Sequence, residues 1–221
     1  MTNIRLRPGI AHRGFRDCAI ILDVDRDRYW QVSGHVARLL DRLAQGEAGA
    51  LTPADRACLD NLGLVESTGG DVPSPSGISL PAPAASALEV EVPTGRFGLA
   101  EAIEVAWLAV AARRRIRRRS LRSVLAAVDG WRDDERRDAQ ADVAALARRF
   151  ARYRRLVPIA PLCLPDTIAF LRFAARRGCF PRLVFGVEAW PFAAHCWAQA
   201  DDIVLTDALH HVRSFSPILV L

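Results

Sequence analysis

Lysine is missing altogether: all 30 basic residues of this 221-residue chain are arginine. An arginine-only basic set is most simply a GC-rich coding bias, so a single arginine carries less functional information than usual. Cysteine is sparse and lacks a pairing pattern. The five (Cys18, Cys58, Cys163, Cys179 and Cys196) are odd in number and contain no C-x-x-C spacing. This argues against a disulfide framework or a zinc ribbon and predicts a reducing compartment. No apolar h-region follows the opening MTNIRLRPGIAHRG, so no secretory signal is expected. The longest apolar stretch, Leu99 to Ala112, carries Glu101 and Glu104 and is too short to span a bilayer. No internal repeat is evident. These absences predict a cytoplasmic protein whose membrane contact, if any, is peripheral.

What is present bounds the architecture. The chain is 51% hydrophobic, enough to bury real cores, and its net charge is a modest +5. Residues 68–86, TGGDVPSPSGISLPAPAAS, are rich in Pro, Gly, Ser and Ala with almost no charge, a composition that reads as a linker. Two domains are therefore expected, over 1–67 and 87–221.

In the first, IAHRGF, CAIILDVD and RYWQVS read as three short strands, the last two joined by an Asp/Arg-rich turn. Ser33 opens a helix whose apolar positions Val36, Leu39, Leu40 and Leu43 keep helical spacing until Gly46. Thr52-Pro53 signals the start of another helix ending at Gly63, and LVES closes the unit as a short strand. This is the pattern of a small winged-helix-like α+β module. Arg28 to Val32 is a candidate edge strand onto which a peptide could add, with Tyr29 and Trp30 alternating between pocket and core. Leu59 and Leu62 on the second helix would form the other wall. Packing of the small domain is the competing role for Tyr29, Trp30, Val32, Leu59 and Leu62.

In the second, LAEAIEVAWLAVAARRRIRRR is an amphipathic helix with an acidic start and a basic end, as the macrodipole prefers. SLRSVLAAVDG and DAQADVAALARRFARYRRL suggest two more helices, and a further one begins at Cys163. PRLVFGVE, the His195 segment, DIVLTD and FSPILVL then read as strands, so this domain is also α+β. Arg113 to Arg119 reads as a solvated helix end, with an acidic peptide, a protein partner or anionic lipid as alternative contacts. Nucleic acid is not expected, because basic residues elsewhere are balanced by Asp and Glu and no aromatics interleave them.

Cys163, His195 and Asp207 follow in an order that suits nucleophilic catalysis: Cys163 at a helix start, His195 in a strand, Asp207 at the end of the next. In such a set the thiol attacks a carbonyl, the imidazole carries the proton and the carboxylate orients the ring. The helix N-terminus favours the thiolate. The Cys163 backbone N–H is the natural oxyanion donor, and no second donor is legible. Cys18, Cys58 and Cys179 read as packing residues. Cys196 alternates with His195 along the strand and is expected on the opposite face. Trp197 shares the His195 face, where it would shield the imidazole and border the substrate. His210-His211 fall in a turn-like segment without a third placed ligand, so no metal is expected.

Taken together, these residues make the stretch from about 100 to 221 resemble the transglutaminase-like cysteine protease of lasso-peptide biosynthesis, the B protein or leader peptidase. The resemblance rests on the Cys-Leu-Pro start of a helix running from Cys163 to Gly178, on LVFGVE, on Pro191-Phe192-Ala193-Ala194-His195-x-Trp197, and on a strand ending in Asp207. The stretch CAIILDVDRDRYWQVSGHVARLL is similar to the small leader-binding domain fused to that protease. Asp166-Thr167 and Cys196 depart from the family's usual residues. The resemblance implies a papain- or transglutaminase-like fold and a cysteine endopeptidase with Cys163, His195 and Asp207 as its triad. It further implies a leader-bearing precursor peptide as substrate and an asparagine-synthetase-like cyclase as partner. No cofactor would be bound by this chain, any need for ATP residing in the cyclase. A non-catalytic peptide-binding adaptor, or an acyltransferase using the same triad, are the rival readings.

Overall fold

The computed structural model describes residues 3–68, 80–90, 98–134 and 142–221, and the chain divides into two compact units, Met1–Ser79 and Leu80–Leu221. The first unit holds β1 (Asn3–Leu6), β2 (Ile10–Gly14), β3 (Cys18–Asp23), β4 (Arg28–Ser33), α1 (Gly34–Ala44), α2 (Pro53–Asn61) and β5 (Val65–Thr68). Strands β2, β3 and β4 form an antiparallel meander with β4 at an edge, while β1 pairs with β5 as a separate ribbon. The helical spacing of Val36, Leu39, Leu40 and Leu43 turns one stripe of α1 into a core with Ala19 and Ile21 of β3. Each such leucine, fully buried, contributes about 1.5–3 kcal/mol.

Thr52 caps α2 through a reciprocal box: its hydroxyl accepts from the Asp55 N–H at 3.2 Å, and Asp55 accepts from the Thr52 N–H at 3.1 Å. Strand β1 was not anticipated. Its four residues, Asn3-Ile4-Arg5-Leu6, alternate polar and apolar but are too few to read as a strand alone; they are fixed by pairing with β5, about sixty residues away in the chain.

The second unit comprises β6 (Ala85–Ser86), α3 (Leu99–Arg118), α4 (Leu121–Asp134), α5 (Val143–Arg154), α6 (Cys163–Ala175), β7 (Arg182–Ala189), β8 (Phe192–Ala200), β9 (Ile203–Val204), α7 (Leu209–Val212) and β10 (Ser216–Val220). The sheet order is β10-β7-β8-β9-β6, antiparallel except for the β6–β9 pair. Helix α6 is buried along most of its length and packs against α3 and β8.

Three expectations need correction here. Residues 80–86 were read as linker, yet Ala85–Ser86 is a strand of the sheet and Thr68 ends β5; residues 69–79 lie outside the described residues. DIVLTD was read as a strand ending in Asp207, but β9 stops at Val204. The His210-His211 segment, read as a turn, is the short helix α7. For Ala85–Ser86 tertiary pairing with β9, not local propensity, decided the outcome.

Candidate active site

Cys163 is the first residue of α6, and the structure explains why the helix begins there. The Asp166 side chain reaches back to accept the Leu162 N–H at 3.2 Å, and its own N–H bonds the Leu162 carbonyl at 3.1 Å. Among the described residues the Cys163 N–H has no acceptor, as expected for the first turn of a helix. A carboxylate this close would repel a thiolate, but Arg154 neutralises it at 2.8 Å.

Arg154 is 9% exposed and spends its other N–H groups on the carbonyls of Val157, Ile159 and Ala160, at 3.2–3.4 Å. Arg113 adds a second grip on the Ala160 carbonyl at 2.8 Å. The loop that delivers Cys163 is therefore clamped by two arginines. Sequence reasoning missed both, because in an arginine-only chain they look like any others. Arg113 also qualifies the expectation that the run from Arg113 to Arg119 is only a solvated helix end.

His195 comes from β8, paired across the ladder with Gly186 of β7. A Cβ on Gly186 would lie 2.6 Å from the Trp197 ring and 2.8 Å from Phe215, so only glycine lets those rings close behind the imidazole. Trp197 stacks at 6.3 Å from His195 and donates its indole N–H to Gln199 at 3.0 Å. At 1% exposure Trp197 supports the imidazole from behind and is closed to substrate, which corrects its expected place in the binding surface. His195 Nε2 bonds Asp207 Oδ2, and its other nitrogen serves Cys163.

Cys196 also belongs to the site, against expectation. The alternation argument was sound for the two faces of β8 but ignored its edge. The β8–β9 ladder pairs Gln199 and Ala200; next to it the Ala198 N–H bonds the Thr206 hydroxyl at 2.9 Å, and the Cys196 N–H, of the same parity, points to the same side. Cys163 sits there, close enough for the Cys196 thiol and backbone N–H to favour its thiolate.

The electrostatics follow from these contacts. Cys196, then His195, hold the Cys163 thiol as a thiolate, pulling its pKa from 9.0 down to about 4. Burial alone would lower His195, but bonds to Asp207 and Cys163 outweigh it and push the imidazole up to about 9. Burial would raise Asp207, but His195, the Ala208 N–H and His211 hold it at about 2. The proximity of the Cys163 charge, with burial, drives the Cys196 thiol well above its ordinary value. It therefore acts as a donor, not a nucleophile. The resting pair is thiolate and imidazolium.

The site opens into a cleft of about 330 Å³ bordered by Leu88, Phe150, Leu162, Cys163, His195 and Leu205, among others. His195, Asp207 and His211 place ligand atoms within 4.8 Å of one another, and Asp207 Oδ2 is hydrogen-bonded to both imidazoles. The arrangement supports proton transfer and thiolate attack.

The model of the transglutaminase-like superfamily matches residues 106–220, just over half of the 221 residues. The chain belongs to the transglutaminase-like superfamily. No curated protein and no solved structure matches it. Membership in the superfamily, with the site above, supports cysteine-peptidase or acyl-transfer chemistry. Among the described residues no helix is long and apolar enough to cross a membrane.

The residues expected in the first unit separate into two kinds. Leu59 is 0% exposed and Val32 9%, and both lie in the core cluster, so neither is free to meet a peptide. Their apolar character marked burial, which sequence cannot distinguish from a pocket. Trp30 and Tyr29 are half-buried on the edge strand β4, and Leu62 is exposed at the end of α2.

Proposed function

We propose that this protein is a cysteine endopeptidase that binds the leader of a ribosomally made lasso-peptide precursor and removes it. The observation that carries the reading is the preformed Cys163–His195–Asp207 chain at the mouth of an open cleft. The Cys163 thiolate attacks the carbonyl carbon at the leader–core junction, and the Cys163 N–H meets the developing oxyanion. As the tetrahedral species collapses, His195 gives its proton to the departing core amine, leaving the leader as a thioester. Water, deprotonated by His195, then attacks the thioester carbonyl; the leader acid leaves and the thiolate is restored. Asp207 orients His195 throughout.

The first unit, read as a winged-helix-like module, would hold the leader by β-augmentation on the edge strand β4, with Tyr29, Trp30 and Leu62 as side-chain contacts. The released core would pass to an asparagine-synthetase-like cyclase, where any ATP is consumed; this chain would act in the cytoplasm. The test is mass spectrometry of a candidate precursor incubated with wild-type and Cys163→Ala protein, with and without the cyclase. One cut, lost in Cys163→Ala, is the expected result. Binding without any cut would favour an adaptor, and a product carrying an added amine would favour acyl transfer.

A further inference from the structure

Helix α7 returns a second histidine to the triad. The His211 Nδ1 lies 2.9 Å from Asp207 Oδ2, the same oxygen that bonds His195 Nε2. The two imidazole centroids are 4.6 Å apart, and Phe215 stands edge-on to His211 at 5.4 Å while also touching His195 at 5.3 Å. The helix is anchored by the Leu209 N–H on Glu89 at 3.0 Å, and the His211 carbonyl accepts from Ser214 at 2.8 Å. The short helix that carries the ring is thus anchored at both of its ends.

We propose that His211 is a positioning residue, the fourth member of a Cys163–His195–Asp207–His211 relay, whose Nδ1–H pins Asp207 Oδ2 on His195 and shares that oxygen with it. The torsion of a carboxylate about its terminal bond is broad, so one anchor does not fix its plane. Here Oδ1 is anchored by the Ala208 N–H at 2.7 Å, and His211 supplies the second anchor on the oxygen that does the work. Two donors on one oxygen also divide its charge. Without His211 the whole of Oδ2 would serve His195, which would then keep its proton to higher pH while losing its fixed alignment. Both neutral and protonated His211 can present an Nδ1–H, so the contact does not depend on the charge of its other nitrogen. The charged groups around it are Asp207 and His195 on one side, with Glu89 at the start of α7 beside His210 and Arg213 turned to the Pro83 carbonyl.

The catalytic consequence rests on the peptidase reading, but the geometry can be tested without any substrate. Full-length wild type, His211→Asn, His211→Phe and His211→Ala are alkylated with iodoacetamide from about pH 4 to about pH 11, and modification of Cys163 is followed by mass. Asn places an amide N–H where Nδ1 lies; Phe keeps the ring against Phe215 but has no donor. The upper step of the rate profile, where His195 loses its proton, should move up by about half a unit in Phe and Ala and stay in Asn. An unmoved step in Phe and Ala overturns the proposal, as does a step that moves in Asn as far as in Phe. On precursor peptide, kcat should fall about tenfold in Phe with KM unchanged. If wild type cleaves nothing, the peptidase reading fails while the alkylation profiles still decide the role of His211.

Discussion

Two buried or half-buried carboxylates, one in each unit, are held below their ordinary pKa by quite different company. Asp23 is 0% exposed at the β3–β4 turn and bonds Arg7 at 2.6 Å and Arg26 at 3.3 Å; its other oxygen accepts the N–H groups of Asp25 and Arg26. Burial pushes Asp23 up, and these donors outweigh it. Asp207 is bonded to two histidines and the N–H at the start of α7. Arginine keeps its charge at every relevant pH, so the Asp23 cluster has one protonation state and acts as a staple. His195, raised to about 9, can give up its proton in a range where arginine keeps its own, so the Asp207 cluster holds a partner able to exchange a proton. A depressed carboxylate therefore does not mark a catalytic site; partners that titrate do.

The sharpest way to break this contrast is to remove Cys163, the nucleophile of the proposed reaction. Cys163→Ala should lower cleavage by on the order of 10⁵-fold with the fold intact, measured by product mass and circular dichroism. Asp207→Asn comes next, with a loss on the order of 10³-fold. It should also return His195 toward 6.5 and raise the Cys163 pKa, so iodoacetamide labelling near pH 6 slows markedly while wild type is already at its plateau.

Asp23→Asn should do the reverse. Breaking a buried ion-pair cluster costs about 3 kcal/mol, seen as faster hydrogen exchange in β3, while Cys163 labelling stays unchanged. The pH sign is fixed by the lowered pKa: the stabilisation from Asp23 is present above its unfolded value of 3.8 and is lost as pH falls through the folded value. Equal effects of the two Asn variants on labelling would end the contrast.

The sequence made some of this legible and hid the rest for physical reasons. Cysteine and histidine number five each, so Cys163 and His195 stand out against a chain of arginines and alanines, whereas Asp207, one of 17 aspartates, was reached only through its order after them and the family resemblance; the structure does bring His195 and Asp207 together. Periodicity exposed α1, and the Thr52-Pro53 pair exposed α2, because capping and amphipathic spacing are local. What failed was non-local. Strand β1 needs β5, β6 needs β9, and Ser86 in a Pro/Ala-rich stretch gives no sign that it is buried at 3% exposure. Cys196 was misplaced because alternation assigns faces and says nothing about which strand edge a helix start abuts. Arg154 and His211 were missed because their roles are hydrogen bonds to backbone carbonyls and to a shared carboxylate, neither of which leaves a spacing.

Gly186→Ala sharpens the contrast at intermediate size. The added methyl group meets Trp197 and Phe215 at under 3 Å, so the rings behind His195 must shift. The cost is about 1–3 kcal/mol in stability, and the upper step of the Cys163 labelling profile should shift with it. A fall in melting temperature with an unmoved profile would mean that the rings only fill space.

Ser86→Ala is the smallest change and the most discriminating. The Ser86 hydroxyl donates to the Asp207 backbone carbonyl at 2.6 Å and accepts the Leu88 N–H at 3.1 Å. Its removal strands two backbone groups and should cost about 1–2 kcal/mol, because some of that loss is made up by water near the cleft. The Asp207 side chain keeps its own three bonds, so Cys163 labelling should follow the wild-type profile while the melting temperature drops. If labelling moved toward that of Asp207→Asn, the backbone tether would be what orients the carboxylate. Asp207 would then be held as Asp23 is, by fixed structural bonds, and its histidine partners would receive the proton without governing where the carboxylate points.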